Sequence, residues 1–334
     1  MTASPVDLAP HRSGRPFSSL FSAAHAPTVK SREQREKEIT WDEEKSLTVL
    51  EVCGSKIIIG WDSGQIKIFS SVDLQCETAL PYHNQIASVT SLQCTCTEII
   101  AGYDDGYICV WNISNGLLTM VFRLGGKTTD YATCMRWREP KLVVGKTNGV
   151  IGIWQIVNSV RTILGSWKSG FSYVKRVDFN SDYVIVLGYG STGVNVHFLN
   201  GKLARTISNE VDTKEMGFAF CSVANVVITG GDDRILRIWN VATGECLREL
   251  QGHKDGIIAV DSGSSCILSA DTAGEVIIWS IGEALDFRPA GIAGITAPDL
   301  RSRGLEYDYP LRLGRNFFVR HDGSSSRISV SDLL

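Results

Sequence analysis

The sequence predicts an all-β protein in which a unit of just over forty residues repeats along the chain. Six segments align without gaps and end at residues 69, 111, 154, 197, 239 and 279. Each segment has an apolar run, a small residue, a polar turn and a strand in which apolar and polar residues alternate. The last residue of this strand carries an aromatic ring in every copy. A period of about 40–45 residues with four short strands is typical of one blade of a β-propeller. We therefore expect a ring of blades, numbered here in chain order.

The third strand of each unit carries the clearest pattern. Its apolar residues alternate with polar ones, and a period of two places each apolar pair on one face of a sheet. The pairs are Ile66/Ile68, Ile108/Val110, Ile151/Ile153, Val194/Val196, Leu236/Ile238 and Val276/Ile278. Turns rich in Asp and Gly, such as Asp62-Ser63-Gly64, precede this strand and indicate tight hairpins.

The closing aromatic residues and one Gly-His pair resemble those of the WD-repeat family. Trp111, Trp154, Trp239 and Trp279 stand where that family has its tryptophan. Asn112, Gln155, Asn240 and Ser280 follow in place of the usual Asp, so these repeats are degenerate. Gly252-His253 matches the Gly-His pair of the family, and Tyr82-His83 is a weaker copy. The resemblance covers about residues 40–334 and implies four-stranded antiparallel blades that hold other proteins without catalysis.

The two ends of the chain predict how the ring closes. Residues 316–330 read as a strand, a turn and an alternating strand, with Ser331 in place of the aromatic residue. We expect a seventh blade here, with residues 38–42 as its outer strand, because closure removes an exposed sheet edge. An open six-bladed ring with a loose tail is the alternative. The domain prediction is a disordered, basic, Ser/Pro-containing tail at 1–37 and a propeller at 38–334, with a long insert at 282–315 before the last blade.

Composition and charge exclude several classes of protein. The formal net charge is −3, whereas residues 1–35 alone carry +3, so direct nucleic-acid binding is not expected. No run of about 20 apolar residues exists, which excludes a transmembrane helix, and residues 1–30 lack the apolar core of a secretory signal. The nine cysteines form no C-x-x-C pair and predict reduced thiols in the cytoplasm, the nucleus or both.

Motifs of enzymes are absent from the sequence. It contains no G-x-S-x-G, no H-E-x-x-H and no phosphate-binding loop that ends in Gly-Lys-Ser/Thr. The stretch 188–193 imitates a glycine-rich nucleotide loop, but it falls in a hairpin and opens no helix. His197 has no partner at a metal-ligand spacing, so we interpret it as a packing residue. We predict no catalytic residue, no metal site and no cofactor.

The WD-repeat resemblance also implies a buried hydrogen-bond chain of Ser or Thr, His, Asp and Trp within a blade. Such a chain satisfies polar groups that would be costly to bury alone. Blade six lacks the Asp, because Ala273 stands in its place, and blade five lacks the His. The candidates are His83, Asp105 and Trp111 in blade two, Thr229, Asp233 and Trp239 in blade five, and His253, Ser269 and Trp279 in blade six.

A candidate binding surface follows the small residue that ends each second strand. These positions lie at one mouth of the ring and combine large aromatic side chains with carboxylates, which suit a Lys- or Arg-bearing peptide through cation–π contacts and ion pairs. The alternative is that the aromatic rings pack between blades and the acids form turns. The predicted binding residues are Trp61, Asp62, Tyr103, Asp104, Lys146, Tyr189, Asp232 and Asp271.

The sequence is compatible with two functions. The first is a scaffold, a monomeric propeller within a larger complex, that binds a partner protein or basic peptide. The second is the substrate-recognition subunit of a ubiquitin ligase, because the connections at 90–98 and 135–140 resemble those of F-box/WD receptors. We expect no F-box before residue 38, and no Trp-Asp-x-Arg box is present. Asp62, Asp104 and Asp232 would also repel a phosphorylated degron.

Overall fold

The structure is a computed structural model of the chain. It describes residues 36–41, 46–81, 87–125, 129–157, 160–189, 193–208, 215–221, 225–263, 266–281, 287–293, 311–313, 317–321 and 327–332. Of the tail predicted at 1–37, residues 1–35 lie outside the described residues. No helix that is long and apolar enough to span a membrane occurs in the described part of the chain.

The described chain forms 28 strands. In chain order they are β1 (Glu36–Thr40), β2 (Leu47–Cys53), β3 (Lys56–Trp61), β4 (Ile66–Ser70), β5 (Cys76–Leu80), β6 (Val89–Cys94), β7 (Glu98–Tyr103), β8 (Tyr107–Asn112), β9 (Leu118–Arg123), β10 (Ala132–Arg138), β11 (Lys141–Lys146), β12 (Val150–Val157), β13 (Val160–Lys168), β14 (Val174–Phe179), β15 (Tyr183–Gly188), β16 (Gly193–Phe198), β17 (Leu203–Ser208), β18 (Glu215–Cys221), β19 (Val226–Gly231), β20 (Ile235–Asn240), β21 (Cys246–Gln251), β22 (Ile257–Ser262), β23 (Cys266–Asp271), β24 (Val276–Ile281), β25 (Phe287–Ala293), β26 (Leu311–Leu313), β27 (Phe317–His321) and β28 (Arg327–Asp332).

Six blades each use four consecutive strands in antiparallel order. Blade one is β2–β5, and blades two to six follow as β6–β9, β10–β13, β14–β17, β18–β21 and β22–β25. The first strand of each blade contacts the first strand of the next blade, from β2 through β6, β10, β14, β18 and β22 to β26, which returns to β2. The first strands therefore surround a common axis, and the prediction of an all-β propeller with four-stranded antiparallel blades is confirmed.

The remaining sheet is composite, with the strand order β1-β28-β27-β26. Strand β1 pairs with β28, and Ile39 lies opposite Ile328. Seven continuous repeats are therefore not found, and the prediction of seven blades is corrected to six blades of consecutive strands and one sheet assembled from both ends of the chain. The N-terminal strand occupies 36–40 instead of the predicted 38–42, so the predicted tail boundary at 37 falls inside it. The predicted insert at 282–315 contains two strands, β25 and β26.

The hydrophobic core lies between neighbouring blades. The alternating residues of the third strands are buried, for example Ile66 and Ile68 at 0% and 1% exposure. The closing aromatic residues are buried too, including Trp111 and Trp279. Full burial of each such aliphatic side chain is worth about 1.5–3 kcal/mol. The period-two pattern thus places its apolar residues in contact with the next blade.

One turn position between the second and third strands requires a left-handed backbone. Gly64 and Gly106 occupy it with φ of 75° and 84°. In blade five the same position holds Arg234, with φ of 69°. A side chain with a Cβ atom is disfavoured there, because only glycine adopts positive φ without a steric cost.

Candidate functional site

Blade six contains a complete buried chain of four polar side chains. The indole Nε1 of Trp279 donates a hydrogen bond to Ser269 Oγ at 2.8 Å. His253 Nε2 lies 2.6 Å from Ser269 Oγ, and His253 Nδ1 lies 3.0 Å from Asp271 Oδ2. Because an indole only donates, the Ser269 hydroxyl can donate to Nε2, which leaves the Nδ1 proton for Asp271. Every polar side chain of this hydrogen-bonded series therefore has a partner within the protein.

The structure corrects the sequence prediction for the aspartate of this chain. Ala273 occupies the usual Asp position, but Asp271 reaches the histidine from two residues earlier. Its other oxygen, Oδ1, accepts the backbone N–H groups of Ala273 and Glu275 at 3.1 and 2.9 Å. Asp271 was predicted to face a partner at the mouth, yet its side chain is fully buried. It is a structural residue of blade six.

This cluster has the residue types of a hydrolase triad and of a metal site. Its polar atoms, however, already form hydrogen bonds with one another. Ser269 is 0% exposed, and its hydroxyl contacts both His253 and Trp279. The ligand atoms of His253, Asp271 and Glu275 lie within 4.8 Å of one another. Both ring nitrogens of His253 nevertheless have partners within the blade. The geometry is that of a structural hydrogen-bond network, and we call His253, Ser269, Asp271 and Trp279 the brace of blade six.

Blade five keeps only one link of the predicted chain. Trp239 Nε1 donates to Thr229 Oγ1 at 2.9 Å. Asp233 instead forms an ion pair with Arg237 at 2.6 Å, and Arg237 also contacts Glu249 at 2.9 Å. The prediction of Asp233 as a member of the tryptophan chain is therefore wrong. Asp233 pairs with the basic side chain of Arg237 instead, a residue that the blade pattern does not require.

Blade two also departs from the prediction. Trp111 Nε1 donates to the backbone carbonyl of Pro81 at 3.1 Å. Asp105 accepts the backbone N–H of Tyr107 at 3.2 Å, which shapes the hairpin turn. His83 lies outside the described residues. The described part of blade two thus holds its tryptophan through a backbone oxygen.

Most of the large side chains predicted at the mouth are buried. Trp61 is 2% and Tyr103 is 0% exposed, so the expectation of exposed aromatic rings is wrong for both. Trp61 packs edge-on against Trp41 with ring centroids 6.1 Å apart. Lys146 is buried as well, donates to the carbonyl of Leu124 at 3.2 Å, and has its pKa lowered by burial. Trp61 packs against Ile328 and Val330 of the composite sheet, and Tyr103 packs against blade one, so the preceding sheet covers each ring.

Four predicted residues do reach the surface of this mouth. Tyr189 is 53% exposed, Asp232 is exposed, and Asp62 and Asp104 are half-buried. Asp62 Oδ1 accepts the backbone N–H of Ser46 at 3.2 Å, and Asp104 Oδ1 accepts that of Ser88 at 3.0 Å. One oxygen of each of these two carboxylates therefore holds a loop. We call Asp62, Asp104, Tyr189 and Asp232 the acidic mouth.

A belt of polar side chains near the propeller axis was missed by the sequence analysis. It consists of Glu51, Gln93, Arg136, Asp178, Asp261 and Arg312, all on first strands. Gln93 Nε2 donates to Glu51 Oε2 at 2.8 Å, and Arg136 Nε lies 3.2 Å from Asp178 Oδ2. We call this set the axial belt. The signal in the sequence was the recurrence of polar residues at nearly equivalent positions 51, 93, 136 and 178.

The axial belt links blades through charges. Burial raises the pKa of Glu51, while the cations of Arg312 and Arg136 oppose this rise. The carboxylate of Asp178 raises the pKa of Arg136. Arg176 on β14 donates to the carbonyl of Val260 on β22 at 3.1 Å, so a side chain reaches past blade five. Polar contacts therefore connect the first strands of several blades around the axis.

Comparison with known proteins agrees with this architecture. The family model for the WD domain, G-beta repeat (WD40) matches residues 74–112, 205–240 and 244–280. The computationally designed Ika8 protein is a solved structure similar to this chain, with a TM-score of 0.60 and 20% identity over 87% of this chain and 97% of that chain. At that identity the likeness shows the fold alone.

Three curated relatives share partial similarity with the chain. Cilia- and flagella-associated protein 52 of Sus scrofa is 24% identical over 68% of this chain and 37% of its own length. The p21-activated protein kinase-interacting protein 1-like of Xenopus laevis is 22% identical over 71% and 64%. Transcription initiation factor TFIID subunit 5 of Caenorhabditis elegans is 42% identical over 33% and 16%. The chain thus spans little more than a third of the first of these relatives. The chain therefore contains WD40 repeats, which the family model matches in three segments, within a propeller of four-stranded blades.

Proposed function

We propose that the chain is a non-enzymatic scaffold that binds a partner protein through the acidic mouth. The observation that carries the proposal is the exposure of Asp232 and Tyr189 beside the half-buried carboxylates of Asp62 and Asp104. Exposed carboxylates and an aromatic ring suit a segment that bears Lys or Arg. Two relatives, a p21-activated protein kinase-interacting protein and a subunit of a transcription initiation factor, support a role in protein assemblies.

The absence of catalysis is part of the same proposal. It is supported by the triad-like residues of blade six, since Ser269 and Asp271 are fully buried and His253 is bonded at both ring nitrogens. A nucleophile must reach its substrate, and this hydroxyl is enclosed by its own blade.

We also propose that the composite sheet acts as the seventh blade of a closed, monomeric ring. Two observations support closure: strand β26 contacts both β22 and β2, and β1 covers the edge of β28. A closed ring provides a rigid platform, because each blade is then packed on both sides.

A charge-neutralising variant tests the binding proposal. The triple substitution D62N/D104N/D232N removes three negative charges, while an asparagine Oδ1 can still accept the N–H groups of Ser46 and Ser88. A matched control is D73N/D182N/E245Q, which removes the charges of three exposed acids. Asp182 lies in a loop between a first and a second strand, and Asp73 and Glu245 lie in loops between a third and a fourth strand. Those loops lie at the opposite mouth, because consecutive antiparallel strands reverse direction.

The readout is affinity purification with mass spectrometry, followed by measurement of Kd for the recovered partner. We expect the control to retain the partner and the acidic-mouth variant to bind it at least about tenfold more weakly. Equal recovery with both variants would overturn the proposal. A cullin or its adaptor among the partners would favour the ubiquitin-ligase alternative, in which the chain recognises substrates.

We propose a cytoplasmic or nuclear location for the scaffold. The similarity to cilia- and flagella-associated proteins supports the cytoplasm and, within it, a compartment related to cilia. Fluorescence microscopy of the tagged chain in ciliated cells tests this proposal. Signal confined to secretory organelles would contradict it.

A further inference from the structure

Two cysteines from neighbouring blades meet in the fold, although they are far apart in sequence. Cys53 is the last residue of β2, and Cys94 is the last residue of β6. Cys53 Sγ donates to the carbonyl of Thr95 at 2.9 Å, and the two thiols hydrogen-bond to each other. Both are free thiols in this structure, and both are half-buried against the same hydrophobic cluster. Cys96 is nearer to Cys94 in the sequence, but in the structure Cys53 is the cysteine that contacts Cys94.

The two thiols differ in their readiness to ionise. The hydrogen bond from Cys94 lowers the pKa of Cys53, whereas the same bond and burial raise the pKa of Cys94. The thiolate is the reactive form of cysteine, so Cys53 is the one that reacts first. Cys109 offers a contrast, because burial raises its pKa to about 12.

We propose that Cys53 and Cys94 are a peroxide-sensitive pair that forms a reversible disulfide between blades one and two. The Cys53 thiolate attacks one oxygen of hydrogen peroxide, the O–O bond breaks, and Cys53 becomes a sulfenic acid while hydroxide leaves and takes up a proton. The Cys94 sulfur then attacks the sulfenic sulfur, the S–O bond breaks, and a second water forms. The two thiols lose two electrons and two protons in total, and the peroxide is reduced to two waters.

The positions of the two cysteines at strand ends favour formation of the bond. A disulfide requires sulfur atoms about 2.05 Å apart, so the two thiols must move closer together than hydrogen-bond contact. Both cysteines end their strands, where the chain enters the turns at 54–55 and 95–97. Strands β2 and β6 belong to different sheets, so no backbone ladder joins them to each other.

The test uses the full chain with the exposed cysteines removed by C76S/C96S/C246S. The protein is treated with hydrogen peroxide, blocked with N-ethylmaleimide and digested without reductant. Trypsin with a glutamate-specific protease places Cys53 in residues 52–56 and Cys94 in residues 78–98. We expect these two peptides to appear linked, two hydrogens lighter than their sum, and to separate again with dithiothreitol.

Two further variants separate a reactive pair from ordinary core cysteines. In C94S, dimedone is expected to trap a sulfenic acid at Cys53, because the resolving thiol is gone. In C53S, Cys94 is expected to remain a thiol that maleimide labels only after denaturation. The linked state is also expected to unfold a few degrees higher than the reduced state. Maleimide labelling of both cysteines after peroxide, or sulfinic acid at Cys53 with Cys94 intact, would overturn the proposal. Because no partner is needed, this result is independent of the acidic mouth.

Discussion

Arg312 faces Glu51 across the joint between the composite sheet and blade one, with Arg312 Nε 3.6 Å from Glu51 Oε2. The two residues lie on β26 and β2, near opposite ends of the chain. Glu51 is deeply buried, and Gln93 donates to the same oxygen. The pair therefore contributes to the closure of the ring as well as to the neutralisation of a buried charge.

Removal of Arg312 is expected to destabilise the protein. In Arg312→Ala the Glu51 carboxylate loses its largest opposing charge, which should cost about 1–3 kcal/mol at pH 7. Urea unfolding followed by tryptophan fluorescence measures the change. Lys254→Ala is the control, since Lys254 is exposed and its ion pair with the half-buried Glu275 is worth at most about 1 kcal/mol. Equal stability of the two variants would show that the joint does not depend on this charge.

The neutral variant Glu51→Gln is expected to change how stability depends on pH. The folded-state pKa of Glu51 is raised, so the folded protein binds more protons than the unfolded chain between the two pKa values. This residue's contribution to stability is therefore full below the unfolded pKa and is lost as pH rises through the folded pKa. Between pH 7 and pH 4, wild type should gain stability relative to Glu51→Gln. Thermal unfolding at several pH values measures the difference, and parallel curves for the two proteins would contradict it.

The brace of blade six predicts a large loss on truncation of its aspartate. Asp271→Ala leaves His253 Nδ1 and the N–H groups of Ala273 and Glu275 without their acceptor, at a cost of about 2–4 kcal/mol. Thr229→Ala removes a single acceptor, that of Trp239, and should cost about 1–2 kcal/mol. Chemical denaturation compares the two. A smaller loss of unfolding free energy for Asp271→Ala than for Thr229→Ala would mean that Asp271 does not hold the brace of blade six together.

Closure by the N-terminal strand predicts the effect of a charge at Ile39. This residue is 4% exposed and pairs with Ile328, so Ile39→Asp places a carboxylate in the core. We expect β1 to detach, the melting temperature to fall, and the uncovered edge of β28 to promote association between molecules. Light scattering coupled to gel filtration checks the mass. The exposed neighbour Glu38 provides the control Glu38→Gln, which should remain a monomer.

The strained turn of blade five predicts a stabilising substitution. Arg234 has φ of 69° and an exposed side chain, whereas glycine occupies this position in blades one, two, three and six. Arg234→Gly should raise the free energy of unfolding by about 0.5–1 kcal/mol, because glycine tolerates positive φ without a steric cost. Differential scanning calorimetry measures the shift. Gly106→Ala is the converse control and is expected to lower stability.

The sequence predicted the blades well because their signals are local. Apolar alternation in pairs such as Ile66 and Ile68 depends on a single strand, and its period survives in every repeat. Burial of Trp61 and Tyr103 could not be read in the same way, because it depends on the neighbouring blade that covers them. The role of Asp271 was missed for a related reason: a carboxylate two residues from the usual position reaches the same histidine through a different backbone path. The meeting of Cys53 with Cys94 likewise requires the packing of two sheets.

The pairing of β1 with β28 sets an order of events during synthesis. Residues 36–40 leave the ribosome before their partner strand at 327–332 is made. Six blades can fold while translation continues, but β1 has no partner strand until β28 emerges. A chain that stalls before β28 is made would expose β1 without its partner and one uncovered side of blade six, which are surfaces that chaperones bind.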